Sequence, residues 1–266
     1  MKRRYWPSKP PVGWQIDWSH PFAQGLVAFW AFNEGSGIPL ELVSRSLPSA
    51  SANFSWGVST AGLAGSFNGS STNLTYTRVA STTSTLSLAG SCTFNTFSAG
   101  QMLIERTPVN TVWEVLYSPT SSTLAYRGAS ASNRNQIPVS LLTAGQRFSW
   151  GVTDTGTGST PPNGSTMYLN GVQQSNGAAG GGLPVSSSAA IYVGNYDGSG
   201  YFFNGTQDYI SMWKYALPAA TMQAIGSSPN AIWQMFQFPK RFGKGLKSPL
   251  LGYVRSNRPD NRQFWS

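Results

Sequence analysis

The chain has 266 residues, of which 40% are hydrophobic and only 10% charged, well below the usual quarter for charged residues. Its net charge of +9 lies at the ends. Residues 1–24 hold Lys2, Arg3, Arg4 and Lys9 against Asp17, and residues 233–266 hold Lys240, Arg241, Lys244, Lys247, Arg255, Arg258 and Arg262 against Asp260, while seven basic and seven acidic side chains cancel between them. A neutral middle with one histidine, His20, and one cysteine, Cys92, excludes a basic nucleic-acid platform, a multi-histidine metal site and an internal disulfide.

Residues 1–21 read as a basic, aromatic arm in which Arg3 and Arg4 are interleaved with Trp6, Pro7, Pro10, Pro11, Trp14 and Trp18. Flexible nucleic-acid tails are poor in such anchors, so this arm is suited to a groove on another protein. The start lacks the apolar run of about 7–15 residues that a secretory signal needs, and no stretch of about 18 apolar residues exists for a membrane span.

From residue 22 to 228 the pattern is one of short strands divided by Gly, Asn, Ser and Pro turns, with almost no helical periodicity. The predicted strands are 25–32, 63–67, 73–78, 92–97, 102–106, 112–117, 123–127, 146–153, 166–170, 190–194 and 207–215. In 147–153, Phe148, Trp150 and Val152 alternate with smaller residues, as one buried face requires. In 208–214, Ile210 and Met212 alternate with Tyr209 and Trp213, so a central strand buried on both faces is expected. Asn170-Gly171 supplies the two positive φ values of a type I′ hairpin, and Asn68-Gly69, Asn163-Gly164 and Asn204-Gly205 repeat that signal more weakly. Helices are expected only at 218–225, with Pro218 in the first turn, and at 229–236, with Ser228 as N-cap. More than ten short strands followed by two small helices imply an all-β antiparallel sandwich. Residues 229–266 form a second basic, aromatic arm carrying Phe238, Lys240, Arg241, Phe242, Arg262 and Trp265.

Three runs carry a family resemblance: residues 25–37 (GLVAFWAFNEGSG), 167–172 (MYLNGV), and 191–195 (IYVGN) followed by 203–218 (FNGTQDYISMWKYALP). In order and spacing they resemble the concanavalin A-like, laminin G-like jelly-roll family over about residues 22–226. The family's Asp ahead of the last strand corresponds to Asp208, and the apolar positions after it to Ile210 and Met212. The flanks Pro11–Gly25 and Asn230–Pro239 resemble the ends of laminin G-like proteins of tailed bacteriophages. That resemblance implies a virion protein whose partners are the major capsid protein or tail proteins, with homo-oligomerisation compatible, and no nucleic acid or membrane as direct partner.

Concanavalin A-like folds include glycoside hydrolases, whose retaining members need two carboxyl groups about 5–5.5 Å apart, in this fold on alternate positions of one strand. No Glu-x-Asp-x-x-Glu run occurs. Glu105 and Glu114 lie on different predicted strands and Asp197 and Asp208 are likewise separated, so each reads as a hydrogen-bond acceptor. Asp208 is expected to accept backbone N–H bonds from a neighbouring loop, and Glu34 to serve a turn. No loop carries more than one acidic residue, whereas calcium takes about 6–8 oxygens. No catalytic residue, metal or cofactor is therefore expected.

Asn195, Tyr196, Asp197 and Tyr201 form the one cluster of aromatics with Asn and Asp in a predicted loop. Two readings stand for it: a shallow glycan site, or a packed loop that closes the sandwich end. The sequence thus points to a non-enzymatic phage virion protein, a capsid decoration protein fixed by its arms and displaying a lectin-like domain. The alternative is a tail, baseplate or fibre component acting as a glycan-binding adhesin on the host surface.

Overall fold

The computed structural model describes residues 9–80, 84–106, 112–128, 132–158, 164–174, 187–197, 200–228 and 230–237. Two antiparallel sheets face each other across one core, giving the expected all-β jelly-roll sandwich. The seven-stranded sheet runs Asn133–Pro138, Thr123–Arg127, Trp113–Ser118, Gln101–Arg106, Ile191–Val193, Asn73–Tyr76 and Ala50–Ala52. The eight-stranded sheet runs Val172–Gln174, Ser165–Leu169, Arg147–Asp154, Leu86–Phe94, Asn204–Trp213, Gly62–Asn68 and Ser55–Ser59, with Leu26–Trp30 as its eighth member.

Asn204–Trp213 organises the second sheet. One side pairs with Leu86–Phe94; the other pairs first with Gly62–Asn68 and then, from Ile210 on, with Leu26–Trp30. Its alternation is the one the sequence shows: Ile210 and Met212 join the inter-sheet core, while Tyr209 and Trp213 lie on the outer face. The core brings together Trp30, Tyr76, Phe94, Trp113 and Trp150, all nearly fully buried. Each such side chain contributes about 1.5–3 kcal/mol.

At the expected hairpin, Asn170 and Gly171 take φ values of +50° and +77°. Any Cβ on Gly171 would come within 2.7 Å of the Gln223 carbonyl oxygen and the Ser227 nitrogen, so the glycine also lets the helix Ala219–Gly226 dock. Asn204-Gly205, by contrast, opens a strand instead of turning a hairpin. Six short strands fall outside the predicted set: Gln15–Ile16, Ala50–Ala52, Ser55–Ser59, Asn133–Pro138, Val172–Gln174 and Phe236–Gln237. Leu86–Phe94 also begins well before the predicted start at Cys92. Its Leu-Ser-Leu-Ala-Gly-Ser stretch lacks the bulky β-branched residues on which strand recognition leans.

Residues 9–21 and 230–237, assigned from sequence to the arms, are packed against the body. Gln15 pairs with Gln237 and Ile16 with Phe236 in an antiparallel ribbon. Ile16, Trp233, Met235 and Phe236 form a second apolar cluster with Phe29, Tyr209 and Trp213 on the outer face of the eight-stranded sheet. An outer face this apolar cannot remain in water, and the chain ends supply its cover. Of the candidate arm residues, Trp14 lies in this region; Arg3, Arg4, Trp6, Phe238, Lys240, Arg241, Phe242, Arg262 and Trp265 lie outside the described residues.

Lys9 closes the arrangement. Its ammonium donates to the carbonyls of Phe32 (3.3 Å) and Leu63, lies 3.8 Å from Asp208 Oδ1, and sits 5.8 Å from the Trp233 ring centre. The sequence-based role for Asp208 is corrected here: its carboxylate accepts from side chains, namely Ser59, Ser91 (2.9 Å) and Arg147, instead of loop N–H groups.

Candidate functional site

The outer face of the seven-stranded sheet carries the polar chemistry. Strand register aligns Ala50, Thr75, Tyr192, Glu105, Glu114, Arg127 and Asn133 in one row across all seven strands. With strands about 4.8 Å apart, the row spans roughly 29 Å. Arg127 ties its end together, donating to Glu114 Oε1 at 3.0 Å and to Asn133 Oδ1 at 2.9 Å, and Asn133 donates in turn to Gln136 at 3.0 Å. Beside this row lies an apolar patch of Met102, Leu116 and Ala125, on which Tyr196 packs.

Glu105 and Glu114 are thus cross-strand neighbours, a juxtaposition that reading each strand alone misses. The signal lies in hairpin register: closing 102–106 against 112–117 so that Arg106 meets Trp113 sets Glu105 opposite Glu114. Opposed Cβ atoms are about 4.5–5.5 Å apart. Both side chains are nearly buried, 2% and 6% exposed. Burial pushes the Glu105 carboxyl up to about 8; the Asp197 N–H donated to it opposes that shift, and the nearby Glu114 and Asp197 carboxylates add to it. Burial also raises Glu114, against the pull of Arg127.

The loop after Ile191–Val193 meets this row. Tyr196 and Gly200 exchange backbone hydrogen bonds of 2.7 and 3.2 Å, which close the loop. Asp197 and Tyr201 adopt left-handed φ values of +44° and +49°, uncommon for residues with side chains. The rings of Tyr196 and Tyr201 meet edge to face, 5.5 Å between centres. Tyr201 is 48% exposed.

Of the four residues predicted for a glycan loop, Tyr196, Asp197 and Tyr201 gather above the Glu105–Glu114 pair, while Asn195 does not join them at the surface. It is fully buried, and among the described residues neither atom of its amide has a partner. Asn195 therefore lies beneath the loop surface.

The other singled-out residues have structural roles. His20 caps the short 3-10 turn Pro21–Ala23 by accepting the Phe22 N–H at 3.1 Å. Glu34 accepts the N–H groups of Asn33 and Leu40 at 3.0 and 2.9 Å, a turn role as expected. Cys92 is buried in the core, where its thiol is pushed up by burial. Two buried arginines went unnoticed in the sequence. Arg134 forms a two-pronged pair with Asp154 at 2.7 and 3.0 Å, both side chains fully buried, and Arg106 donates to the carbonyls of Val79, Ala80, Ser187 and Ala189. Among the described residues no three His, Cys, Asp or Glu side chains gather as a metal site.

Comparison with solved structures places this sandwich among known β domains. It superposes on domain 4 of AbnA, a GH43 extracellular arabinanase from Geobacillus stearothermophilus solved in complex with arabinotriose, with a TM-score of 0.54 at 15% identity, covering 76% of this chain and 98% of that one. The botulinum neurotoxin type G receptor binding domain matches with a TM-score of 0.52 at 11% identity, over 75% of this chain and 50% of that one. Trypanosoma rangeli sialidase matches with a TM-score of 0.50 at 15% identity, over 79% of this chain and 33% of that one. The chain thus spans half of the toxin domain and a third of the sialidase. At these identities the likeness establishes the fold alone. No family model matches the sequence, and no curated protein sequence does.

Proposed function

We propose that this chain is a non-enzymatic, lectin-like display module that binds glycans on one outer face and is attached to a virion through the chain ends on the other. The observation that carries this reading is the opposition of the two surfaces. The Tyr196–Tyr201 loop and the Glu105–Glu114–Arg127 row lie outside the seven-stranded sheet, whereas the packed parts of both ends lie outside the eight-stranded sheet. A module built this way can be tethered without covering its binding face.

In the glycan role, Tyr201 stacks on a pyranose ring through its exposed face, and Asp197, Arg127 and Asn133 offer acceptors and donors to hydroxyl groups. The matched arabinanase domain holds an arabinotriose and the matched toxin domain binds a receptor, which supports a binding role for this fold here. The virion assignment rests on the phage-like sequence patterns at the two ends, with capsid decoration as the first choice and a tail, baseplate or fibre adhesin as the second. The non-enzymatic reading is supported by burial, since Glu105 and Glu114 are covered and Glu114 is engaged by Arg127.

A glycan array probed with the full-length protein tests the binding half, and mass spectrometry of purified particles tests the attachment half. Hits that depend on Tyr201, with hundreds of copies per particle, are expected. No hits, or absence from particles, would contradict the corresponding half.

A further inference from the structure

One sheet edge of the sandwich is unguarded. Edges invite pairing with another chain unless they are short, charged, interrupted by Pro or covered. Among the described residues, Ala50–Ala52 and Val172–Gln174 are three residues long, and Asn133–Pro138 carries the buried Arg134 and ends on Pro138. Leu26–Trp30 is capped at Phe29, whose N–H goes to the Glu41 carboxylate and whose carbonyl accepts the Leu42 N–H. Ser55–Ser59 ends the eight-stranded sheet with five residues and none of these devices.

Register fixes which of its backbone groups face outward. The Gly69 N–H donates to the Phe203 carbonyl, continuing the pairing of Gly62–Asn68 with Asn204–Trp213. Alternation along an antiparallel strand then turns Phe67 and Gly65 to that neighbour, and Ser66, Ala64 and Gly62 to their partners Ser55, Gly57 and Ser59. The N–H and C=O groups of Trp56 and Val58 therefore point off the sheet. Val58 is 78% exposed, and Leu63 opposite it is 41% exposed.

The segment is complementary to itself. Ser-Trp-Gly-Val-Ser, turned antiparallel about Gly57, sets Trp56 against Val58 and Ser55 against Ser59 of a second copy, so the outward donors of each strand meet acceptors of the other. Aromatic with β-branched is a favourable cross-strand pair. Charge permits the approach, because no Asp, Glu, Lys or Arg occurs from Ser46 to Thr77 and the two edges bring no like charges together. The seven-stranded sheet ends on the same side in Ala50–Ala52, joined through Asn53 and Phe54, and its small side chains leave a neighbour room.

We propose that two copies of this chain pair through Ser55–Ser59, antiparallel about Gly57, and join their eight-stranded sheets into one. A two-fold axis normal to the joined sheet keeps the same face of each copy on the same side. Both seven-stranded sheets then point one way and the packed chain ends the other. The pairing stands on the edge alone; its consequence, a bivalent glycan-binding surface, rests on the glycan reading above.

Sedimentation equilibrium of the full-length protein tests the pairing with no glycan present. A monomer–dimer equilibrium is expected, weakened about tenfold or more by Val58→Lys, which sets like charges on the edge, and unchanged by Val172→Lys on the far edge. Both valines are largely exposed, so thermal midpoints should hold. Gly57→Cys should form a disulfide between copies on mild oxidation, since opposed Cα atoms of such a pair stand about 4.5 Å apart, and Cys92 is buried away from it. The Ser66 Cβ lies 3.3 Å from the new Cβ, so Val58→Lys carries the test if Gly57→Cys melts early. A monomeric wild type would overturn the proposal and leave the edge to a strand of another protein. A dimer indifferent to Val58→Lys, one lost equally in Val172→Lys, or a folded Gly57→Cys dimer without the disulfide would overturn it in favour of another surface. Glycan hits from a monomeric wild type would leave the glycan reading standing, whereas a dimer that binds no glycan would remove only the bivalent consequence.

Discussion

Lys9 and Asp208, far apart in the sequence, form a buried ion pair with Nζ and Oδ1 3.8 Å apart and side chains only 6% and 1% exposed. The pair pins the N-terminal segment to the central strand of the eight-stranded sheet. Burial, more than the partial relief from Asp208, lowers the Lys9 ammonium to about 8. Asp208 serves two cations, since Arg147 also donates to it. Removing the shared carboxylate should therefore hurt more than removing one cation. Asp208→Ala is expected to cost roughly 3–5 kcal/mol because it leaves charge buried without a partner, whereas Lys9→Met should cost clearly less because Arg147 still pairs the carboxylate. Urea unfolding of both variants checks this, and equal losses would contradict it.

The packed chain ends set the minimal folded unit. A chain cut to residues 22–228 loses Ile16, Trp233, Met235 and Phe236 from the cluster around Phe29 and Tyr209, at about 1.5–3 kcal/mol for each large side chain. It should aggregate or melt well below the full chain, while residues 9–237 should melt close to it. A 22–228 fragment with a full-length melting temperature would show that this cover is dispensable.

Much of this was readable from the sequence, and the rest has a common physical cause. Local signals found the core strands: the alternation in Asp208–Lys214, the Asn170-Gly171 hairpin and the Pro218 helix start all depend on neighbours within a few residues. Pairings such as Lys9 with Asp208 and Arg134 with Asp154 depend on sheet order and register, which no local pattern carries. The interleaved aromatics and basic residues of the terminal segments point to a groove on another protein, and sequence alone does not show that part of them covers this chain's own sheet. Yet Ile16, Trp233 and Phe236 are the side chains that the apolar back of the sheet needs. At the candidate site, Tyr196, Asp197 and Tyr201 could be picked out by composition, whereas the polar row beneath them arises only once seven strands are aligned.

Glu105 gives the protein a pH signature. Its carboxyl titrates near 8 when folded and near 4.3 when unfolded. Between those values the folded state holds the extra proton, so stability should fall as pH rises from about 4.5 to 8. Below that window both states are protonated and the penalty is absent; above it the penalty is complete. Glu105→Gln keeps an acceptor for the Asp197 N–H and cannot ionise, so it should flatten the slope across this window. A wild-type slope in the variant would place the proton elsewhere.

Because both carboxyls of the cross-strand pair are covered, purified protein should release no reducing sugar from β-glucans, alginate or arabinan. Turnover that disappears in Glu105→Gln or Glu114→Gln would overturn the non-enzymatic reading and make the pair an acid and nucleophile.

The binding face is tested most directly by titrating the strongest array glycan against wild type, Tyr201→Ala and Val172→Ala, the last an exposed residue of the opposite sheet. The expected result is a loss of about tenfold or more for Tyr201→Ala, equivalent to ~1.4 kcal/mol, with Val172→Ala unchanged and both variants folded. Wild-type affinity in Tyr201→Ala, or no glycan bound by the wild type, would contradict a glycan-binding face outside the seven-stranded sheet.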